Sequence, residues 1–212
     1  MRASATAEPI VYVVDDDDAM RSSLKWLIES VGLRVETFAS ADEFLSCYYP
    51  GRTGCLLLDV RMPGMSGLDL QEYLASRHIQ LPVIIITGHG DVPMAVRAMK
   101  AGALDFIEKP FNDEALLDSI RRALALAVEQ RSLQARQAEI ATRLALLTPR
   151  EHEVMEMVAD GRSNKEIANA LGVSAKTVEA HRARVMEKTG ARSLAELVRM
   201  VLTANLVDED QG

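Results

Sequence analysis

Four apolar runs in the first 110 residues each end at a polar group, and this repetition constrains the fold more than any other feature of the chain. Ile10–Val14 runs into Asp15 and Asp16, and Cys55–Leu58 into Asp59. Val83–Ile86 runs into Thr87, and Phe106–Ile107 leads through Glu108 to Lys109-Pro110. The stretches between have helical periodicity, so strand and helix alternate, which requires a parallel sheet covered by helices. In such a sheet the carboxyl ends of the strands face one crevice, where ligands bind. Three carboxylates, a hydroxyl and an ammonium are therefore expected together, a set suited to a divalent cation beside a phosphoryl group.

Strands are expected at 10–14, 34–38, 54–58, 83–87 and 104–107. The first helix carries the stripe Leu24, Leu27, Ile28 and Val31 and stops at Gly32. The second opens on Ser40-Ala41-Asp42-Glu43, a capping box. A third spans about 68–77, and a fourth about 92–101, closed by Gly102; Asn112 reads as the N-cap of a fifth. That fifth pattern continues without Gly or Pro from Asp113 to about Thr142. Leu117, Ile120 and Leu124 can pack on the sheet, whereas the mostly polar 129–134 reads as a solvated helix between domains. The organisation expected is a domain over 8–125, a helical linker over 126–143 and a second domain over 144–207.

The second half is all-helical. Thr148-Pro149-Arg150-Glu151 is a capping box with Pro at the first helical position, and Ser163–Glu166 and Ser193–Glu196 repeat the device. A further helix from about Ser174 to Thr189 completes four. Net charge is −7 for all 212 residues, yet between Gly161 and Thr203 eight Lys/Arg stand against four Glu, a local surplus of +4. Within 164–183, Ala168 permits close helix approach, Gly172 can take a positive φ, and Val178 is apolar where a second helix must pack. These spacings fit a helix-turn-helix in which Ser174 caps the reading helix. The plainer alternative is a small helical bundle with basic solvated faces.

At the crevice, Asp15, Asp16 and Asp59 could hold Mg2+. Asp59 then has two available jobs, metal ligand and nucleophile, with Lys109 neutralising charge and Thr87 donating to a phosphoryl oxygen. Asp17 and Asp18 read as N-terminal helix acids. Cys47 and Cys55 fit no metal or redox spacing and are expected as packed or half-buried thiols in a reducing cytosol. Met1–Pro9 lacks the apolar centre of a signal peptide, and no stretch of about 18 apolar residues occurs, so a soluble, cytoplasmic protein is expected. The tail 208–212 is expected to be disordered. His78, His89 and His152 show no metal spacing and are assigned surface or structural roles.

Residues 10–124 resemble the receiver domain of bacterial two-component response regulators. The matching motifs are Val13-Val14-Asp15-Asp16, Leu58-Asp59 through Ser66-Gly67, Ile86-Thr87-Gly88 and Phe106-Ile107-Glu108-Lys109-Pro110-Phe111. The run from Thr87 to Val96 further resembles the FixJ subgroup, and residues 145–203 resemble the LuxR-type DNA-binding domain, with Thr177–Arg182 near its FixJ form. The resemblance implies a five-stranded parallel sheet in the order 2-1-3-4-5, joined by the helical linker to a four-helix LuxR-type helix-turn-helix domain. It further implies that Asp59 accepts a phosphoryl group from a sensor histidine kinase. Asp15, Asp16, Asp59 and the backbone carbonyl of Arg61 would hold Mg2+, and Thr87 and Lys109 would contact the phosphoryl group. Thr87 and Phe106 would act as the switch pair. Glu179, Ala180 and Ala183 would reach bases, and Lys176, Thr177, Arg182, Arg184 and Lys188 would hold phosphates; His181 is assigned to packing or a phosphate contact.

The function implied is a phosphorylation-activated transcription regulator, not an enzyme. It would form a homodimer when phosphorylated through its fourth helix, fifth strand and fifth helix, with Met94, Ala98 and Met99 as an adaptable apolar contact. Promoter DNA and RNA polymerase are the further partners implied. Two alternatives remain at this point. A haloacid-dehalogenase type of phosphohydrolase would use Asp15, Asp17, Thr87 and Lys109, and leaves Asp59 and the second half unexplained. A receiver that responds to binding alone would carry no phosphate, against which the intact acidic set argues.

Overall fold

Residues 8–88 and 91–209 are described by this computed structural model, the side chains of the last helix through Ala204. Met1–Ala7, His89, Gly90 and Asp210–Gly212 lie outside the described residues, and with them the expectations for the amino terminus, for His89 and for most of the tail.

The chain divides near 132/133 into two units. In the first, β1 (Ile10–Val14), α1 (Asp18–Ser30), β2 (Arg34–Phe38), α2 (Ala41–Cys47), β3 (Gly54–Asp59) and α3 (Gly67–Ser76) are followed by β4 (Val83–Thr87), α4 (Val92–Lys100) and β5 (Asp105–Glu108). The strands form one parallel sheet in the order β2-β1-β3-β4-β5. Side chains alternate between its faces, and two cores result. Tyr12, Val14, Leu56, Leu58 and Ile85 pack towards α2, α3 and α4. Val11, Val13, Leu57, Ile84 and Ile86 pack against α1 and against Leu117, Ile120 and Leu124 of α5 (Asp113–Leu144). Both faces being covered, the central strands are apolar throughout, which explains the unbroken runs in the sequence.

Helix ends are fixed by side chains. Asp17 caps α1 by accepting from Ala19 N and Met20 N, and Asn112 Oδ1 accepts from Ala115 N at the start of α5. Ser40 caps α2, but the reciprocal bond of Glu43 goes to Ala39 N at 2.6 Å, one residue earlier than the expected box. Ser66 caps α3, whose first residue, Gly67, leaves no room for a Cβ because one would overlap the carbonyl oxygen of Asp59. Arg97 on α4 reaches Asp69 at 3.1 Å and Glu72 at 2.9 Å on α3.

Three packing expectations need correction. Val31 is 40% exposed because α1 has ended at Ser30, so the last position of the stripe falls off the helix. Cys47 is exposed at the end of α2, while Cys55 is buried; burial pushes the Cys55 thiol up to about 12. Ala98 is fully buried in the first core and offers nothing to a partner; the large apolar side chains exposed on α4 are Val92, Val96 and Met99.

In the second unit, α6 (Pro149–Ala159), α7 (Asn164–Leu171), α8 (Ala175–Thr189) and α9 (Leu194–Glu209) enclose a core that includes Val154, Val158, Ile167, Val178, Val185 and Leu197. Both halves of the capping boxes at Thr148/Glu151 and Ser163/Glu166 are present. At Ser193 the box is partial, since Glu196 accepts from Arg192 N instead. Asp208 and Glu209, expected in a disordered tail, continue α9. Among the described residues no helix is long and apolar enough to cross a membrane.

Candidate functional site

Parallel pairing places the ends of β1, β3, β4 and β5 side by side, so the residues just beyond them meet. Lys109 Nζ lies between two acids, donating to Asp15 Oδ2 at 2.7 Å and to Asp59 Oδ1 at 2.9 Å. The other oxygen of each carboxylate is held by backbone: Asp15 Oδ1 accepts from Asp17 N at 2.9 Å, and Asp59 Oδ2 from Arg61 N at 2.6 Å. Arg21 Nη1 donates to the Asp15 carbonyl at 2.7 Å, fixing the β1–α1 turn from the helix side. Lys109 is positioned in turn by its own N–H, which donates to the Thr87 carbonyl at 2.8 Å, followed by a cis Lys109-Pro110 bond.

Asp15 and Asp59 are 3% and 7% exposed, so their charges sit largely out of water. Burial raises the Asp59 carboxyl above its ordinary value; the hydrogen bond and charge of Lys109 oppose this, and the Asp15 charge adds to it. For Lys109 burial works against the charge, but its bonds to Asp15 and Asp59 prevail and the ammonium is held above its ordinary value.

Asp16 is exposed at the rim and, among the described residues, makes no hydrogen bond or ion pair. Two of the three expected carboxylates thus converge and one does not. Among the described residues no group of three or more His, Cys, Asp or Glu side chains is already gathered for a metal. Two buried acids share one ammonium, and a third carboxylate would be repelled by both. A divalent cation nonetheless fits the donors. Asp15, Asp16 and Asp59 against Lys109 leave a net charge of about −2, the oxygens are hard ligands, and Asp16 is unengaged beside the pair. Arg61 is placed at the same mouth by its N–H bond to Asp59. Thr87 is buried at the end of β4, and Phe106 is half-buried on β5, packed against the first core with Met94.

In the second unit, α7 and α8 are joined by Gly172 at φ 67° and by Ser174, whose Oγ accepts from Thr177 N at 3.1 Å. Ala168 and Val178 are buried at the contact. The side chains of Lys176, Thr177, Glu179, Ala180, Ala183 and Arg184 are all exposed on α8. Two residues expected at phosphates are engaged inside the unit. Arg182 Nη1 donates to Asn164 Oδ1 at 2.6 Å, and Lys188 Nζ donates to Glu151 Oε2 at 2.6 Å. Glu151 is buried, and its bonds from Lys188 and from Thr148 N hold its carboxyl down at about 2. Lys188 therefore satisfies a buried acid and is engaged within the unit where a phosphate contact was expected of it. His181 is half-buried, and its Nδ1 has no hydrogen-bond partner among the described residues, in keeping with a packing role.

Sequence reasoning missed Arg21, Asn164 and Glu151 as partners, since a capping glutamate does not announce that a lysine 37 positions later will reach it. It also passed over Asp105, whose Oδ2 accepts from Ser119 and from Arg122 at 2.9 Å, fastening β5 to α5.

An acid-lined, lysine-bridged crevice on a five-stranded parallel sheet, followed by a helix-turn-helix unit, defines a phosphoacceptor coupled to a DNA-binding module. Comparison with known proteins agrees: the response regulator receiver domain family matches residues 11–121, and the LuxR family of bacterial regulatory proteins matches 145–201. The chain belongs to the two-component response regulators that carry a receiver domain and a LuxR-type DNA-binding domain, of the FixJ-like kind. It is 49% identical over 202 residues to the transcriptional regulatory protein FixJ of Azorhizobium caulinodans, covering 95% of this chain and 96% of that one. It is also 49% identical over 202 residues to nodulation protein W of Bradyrhizobium diazoefficiens, covering 95% and 89%. The solved structure of the response regulator StyR superposes with a TM-score of 0.85 at 47% identity, covering 92% of this chain and 98% of that one.

Proposed function

We propose that this protein is a phosphorylation-activated DNA-binding regulator whose Asp59 receives a phosphoryl group from a sensor histidine kinase. The observation that carries the reading is Lys109 Nζ bonded at once to Asp15 and Asp59 at the strand ends. One Asp59 oxygen attacks the phosphorus of the kinase's phosphohistidine, the P–N bond breaks, and the imidazole leaves with the electron pair and takes a proton. Lys109 neutralises the carboxylate and then the phosphoryl oxygens, and Arg61 N–H fixes the other Asp59 oxygen. Thr87 contacts the phosphoryl group, and with Phe106 forms the pair that reports it. Asp15, Asp16, Asp59 and the Arg61 carbonyl would hold Mg2+, which when bound supplies charge neutralisation at the phosphoryl oxygens.

Phosphorylation shifts a two-state equilibrium of the receiver and promotes a homodimer through α4, β5 and α5. Val92, Val96 and Met99 supply the apolar contact in place of Ala98. The dimer presents two α8 helices to promoter half-sites in the major groove. Glu179, Ala180 and Ala183 face bases; Lys176, Thr177 and Arg184 hold phosphates, with Arg182 contributing the nitrogens that Asn164 leaves available. Transcription is activated through RNA polymerase, in the cytoplasm. The functional parts are 8–125, 126–143 and 144–207; the division near 132/133 inside α5 supports placing the linker there.

Treatment of the protein and of its Asp59→Asn and Asp15→Asn variants with a small phosphoryl donor, followed by mass mapping of the acyl phosphate, tests the assignment. Label on Asp59 that is absent from Asp59→Asn is expected; label persisting in that variant overturns it. Selection of bound DNA fragments with and without donor then reads half-site, spacing and dependence on modification.

A further inference from the structure

Arg182 and Lys188 both lie on α8 and both donate to a side chain inside the second unit, but the two partners differ in kind. Lys188 meets the carboxylate of Glu151, so its charge is matched. Arg182 donates Nη1 to Asn164 Oδ1 at 2.6 Å, and an amide oxygen carries no net charge. Among the described residues Arg182 makes no ion pair and no other hydrogen bond, so a whole positive charge and the Nε and Nη2 donors remain. Asn164 is the first residue of α7, whose start is already fixed by the Ser163 and Glu166 capping box. The Asn164 side chain is therefore not needed to cap its own helix.

The nearest acid in sequence on α8 is Glu179, three positions before Arg182 and so its neighbour on the helix surface. Opposite charges at this spacing attract, yet Glu179 is exposed and unpaired among the described residues. We propose that Asn164 is a positioning residue of the DNA-reading surface: it holds the Arg182 guanidinium towards α7 with its charge intact, and keeps it off Glu179. Arg182 then stays available to a phosphate and Glu179 to a base, and neither has to be freed from the other when DNA arrives. This role rests on the proposed function, which places both residues at DNA.

The test uses the full-length protein and fluorescence anisotropy with two duplexes, one of mixed sequence and one recovered from the fragment selection. Asn164→Ala should weaken binding to the mixed-sequence duplex about three- to tenfold, the cost of ordering one long side chain on association. Arg182 keeps its charge in that variant, so the slope of log binding constant against log salt should not change. Asn164→Asp keeps the shape and suits a helix start, but sets a carboxylate against the guanidinium. It should lower the slope by about 1, as Arg182→Gln does, and it serves where the alanine variant does not fold. In the Arg182→Gln background Asn164→Ala should have no further effect. Glu179→Gln should improve binding more in Asn164→Ala than in the unmodified protein, by roughly twofold. Additive losses from Asn164→Ala and Arg182→Gln, or an equal effect of Glu179→Gln in both backgrounds, overturn the role given to Asn164. Failure of the unmodified protein to bind either duplex overturns the proposed function and this role with it; binding that is indifferent to both Asn164 variants overturns the role alone.

Discussion

Replacing Lys109 with methionine isolates what its ammonium does for two buried acids. The variant keeps an unbranched apolar stem but loses the bonds of 2.7 Å to Asp15 and 2.9 Å to Asp59. Both acids are under one-tenth exposed, so water cannot stand in for the missing charge. Removing one partner of a buried ion pair costs ~3–5 kcal/mol. The Lys109 side chain keeps 17% exposure, which brings the expected loss to about 2–3 kcal/mol near neutral pH. The pH dependence has a definite sign. Asp59 already has a raised carboxyl, chiefly from burial, and Lys109 supplies the two largest opposing influences. A raised folded-state value favours the fold at low pH and loses that contribution as pH rises through it. Without Lys109 the rise is larger, so the deficit is greatest near neutral pH and shrinks on acidification towards the ordinary carboxylate range. Urea unfolding at about pH 5 and about pH 7.5, followed by near-ultraviolet circular dichroism, measures it. The packed rings of Tyr12, Phe38, Phe44 and Tyr48 give that signal to the receiver unit. Adding Asp59→Asn to the variant should recover about 1 kcal/mol or more near neutral pH, by removing one unpaired charge. A deficit below about 0.5 kcal/mol, or one that grows in acid, refutes the reasoning.

Gly67→Ala should cost about 1–3 kcal/mol in the same unfolding assay, because its Cβ collides with the Asp59 carbonyl, and should slow phosphoryl uptake at Asp59; wild-type behaviour in both would contradict the contact. The Glu151 carboxyl, held at about 2 against an ordinary value of 4.5, stabilises the second unit above the ordinary value and loses that contribution as pH falls through about 2. Acid unfolding monitored by helical circular dichroism should lose this component in Glu151→Gln, and an unchanged profile would speak against the Lys188 pairing. Lys176→Gln and Arg184→Gln should each reduce the slope of log binding constant against log salt by about 1 in fluorescence anisotropy with operator DNA. Lys188→Gln should leave that slope unchanged while lowering thermal stability; a slope change as large as that of Arg184→Gln would return Lys188 to the DNA-facing set.

Much of the fold was legible because its determinants are local or periodic. Strands buried on both faces leave unbroken apolar runs, and the caps at Asp17, Ser40 and Ser174 stand a few residues from the donors they serve. The crevice was legible for a topological reason: parallel strands deliver their last residues to one edge, so Asp15, Asp59, Thr87 and Lys109 could be grouped before any distance was known. What escaped lies in rotamers and long-range pairing. Asp16 follows the same strand as Asp15 yet faces outward, because adjacent residues leave a strand end in opposite directions. Ala98 and Met99 are neighbours on α4, but one is buried and the other half exposed, a difference set by the roughly 100° that separates successive residues around the helix. The pairing of Lys188 with Glu151 joins helices α8 and α6 and leaves no periodic mark.

Lys109 stands at the end of β5, while the acids it serves stand at the ends of β1 and β3. A single nitrogen thereby answers to two masters on separate strands. Whatever alters the anion on one of them changes the pull on the other at once, ahead of any rearrangement of helices. News of chemistry at this edge travels first as redistributed charge, and only afterwards as shape.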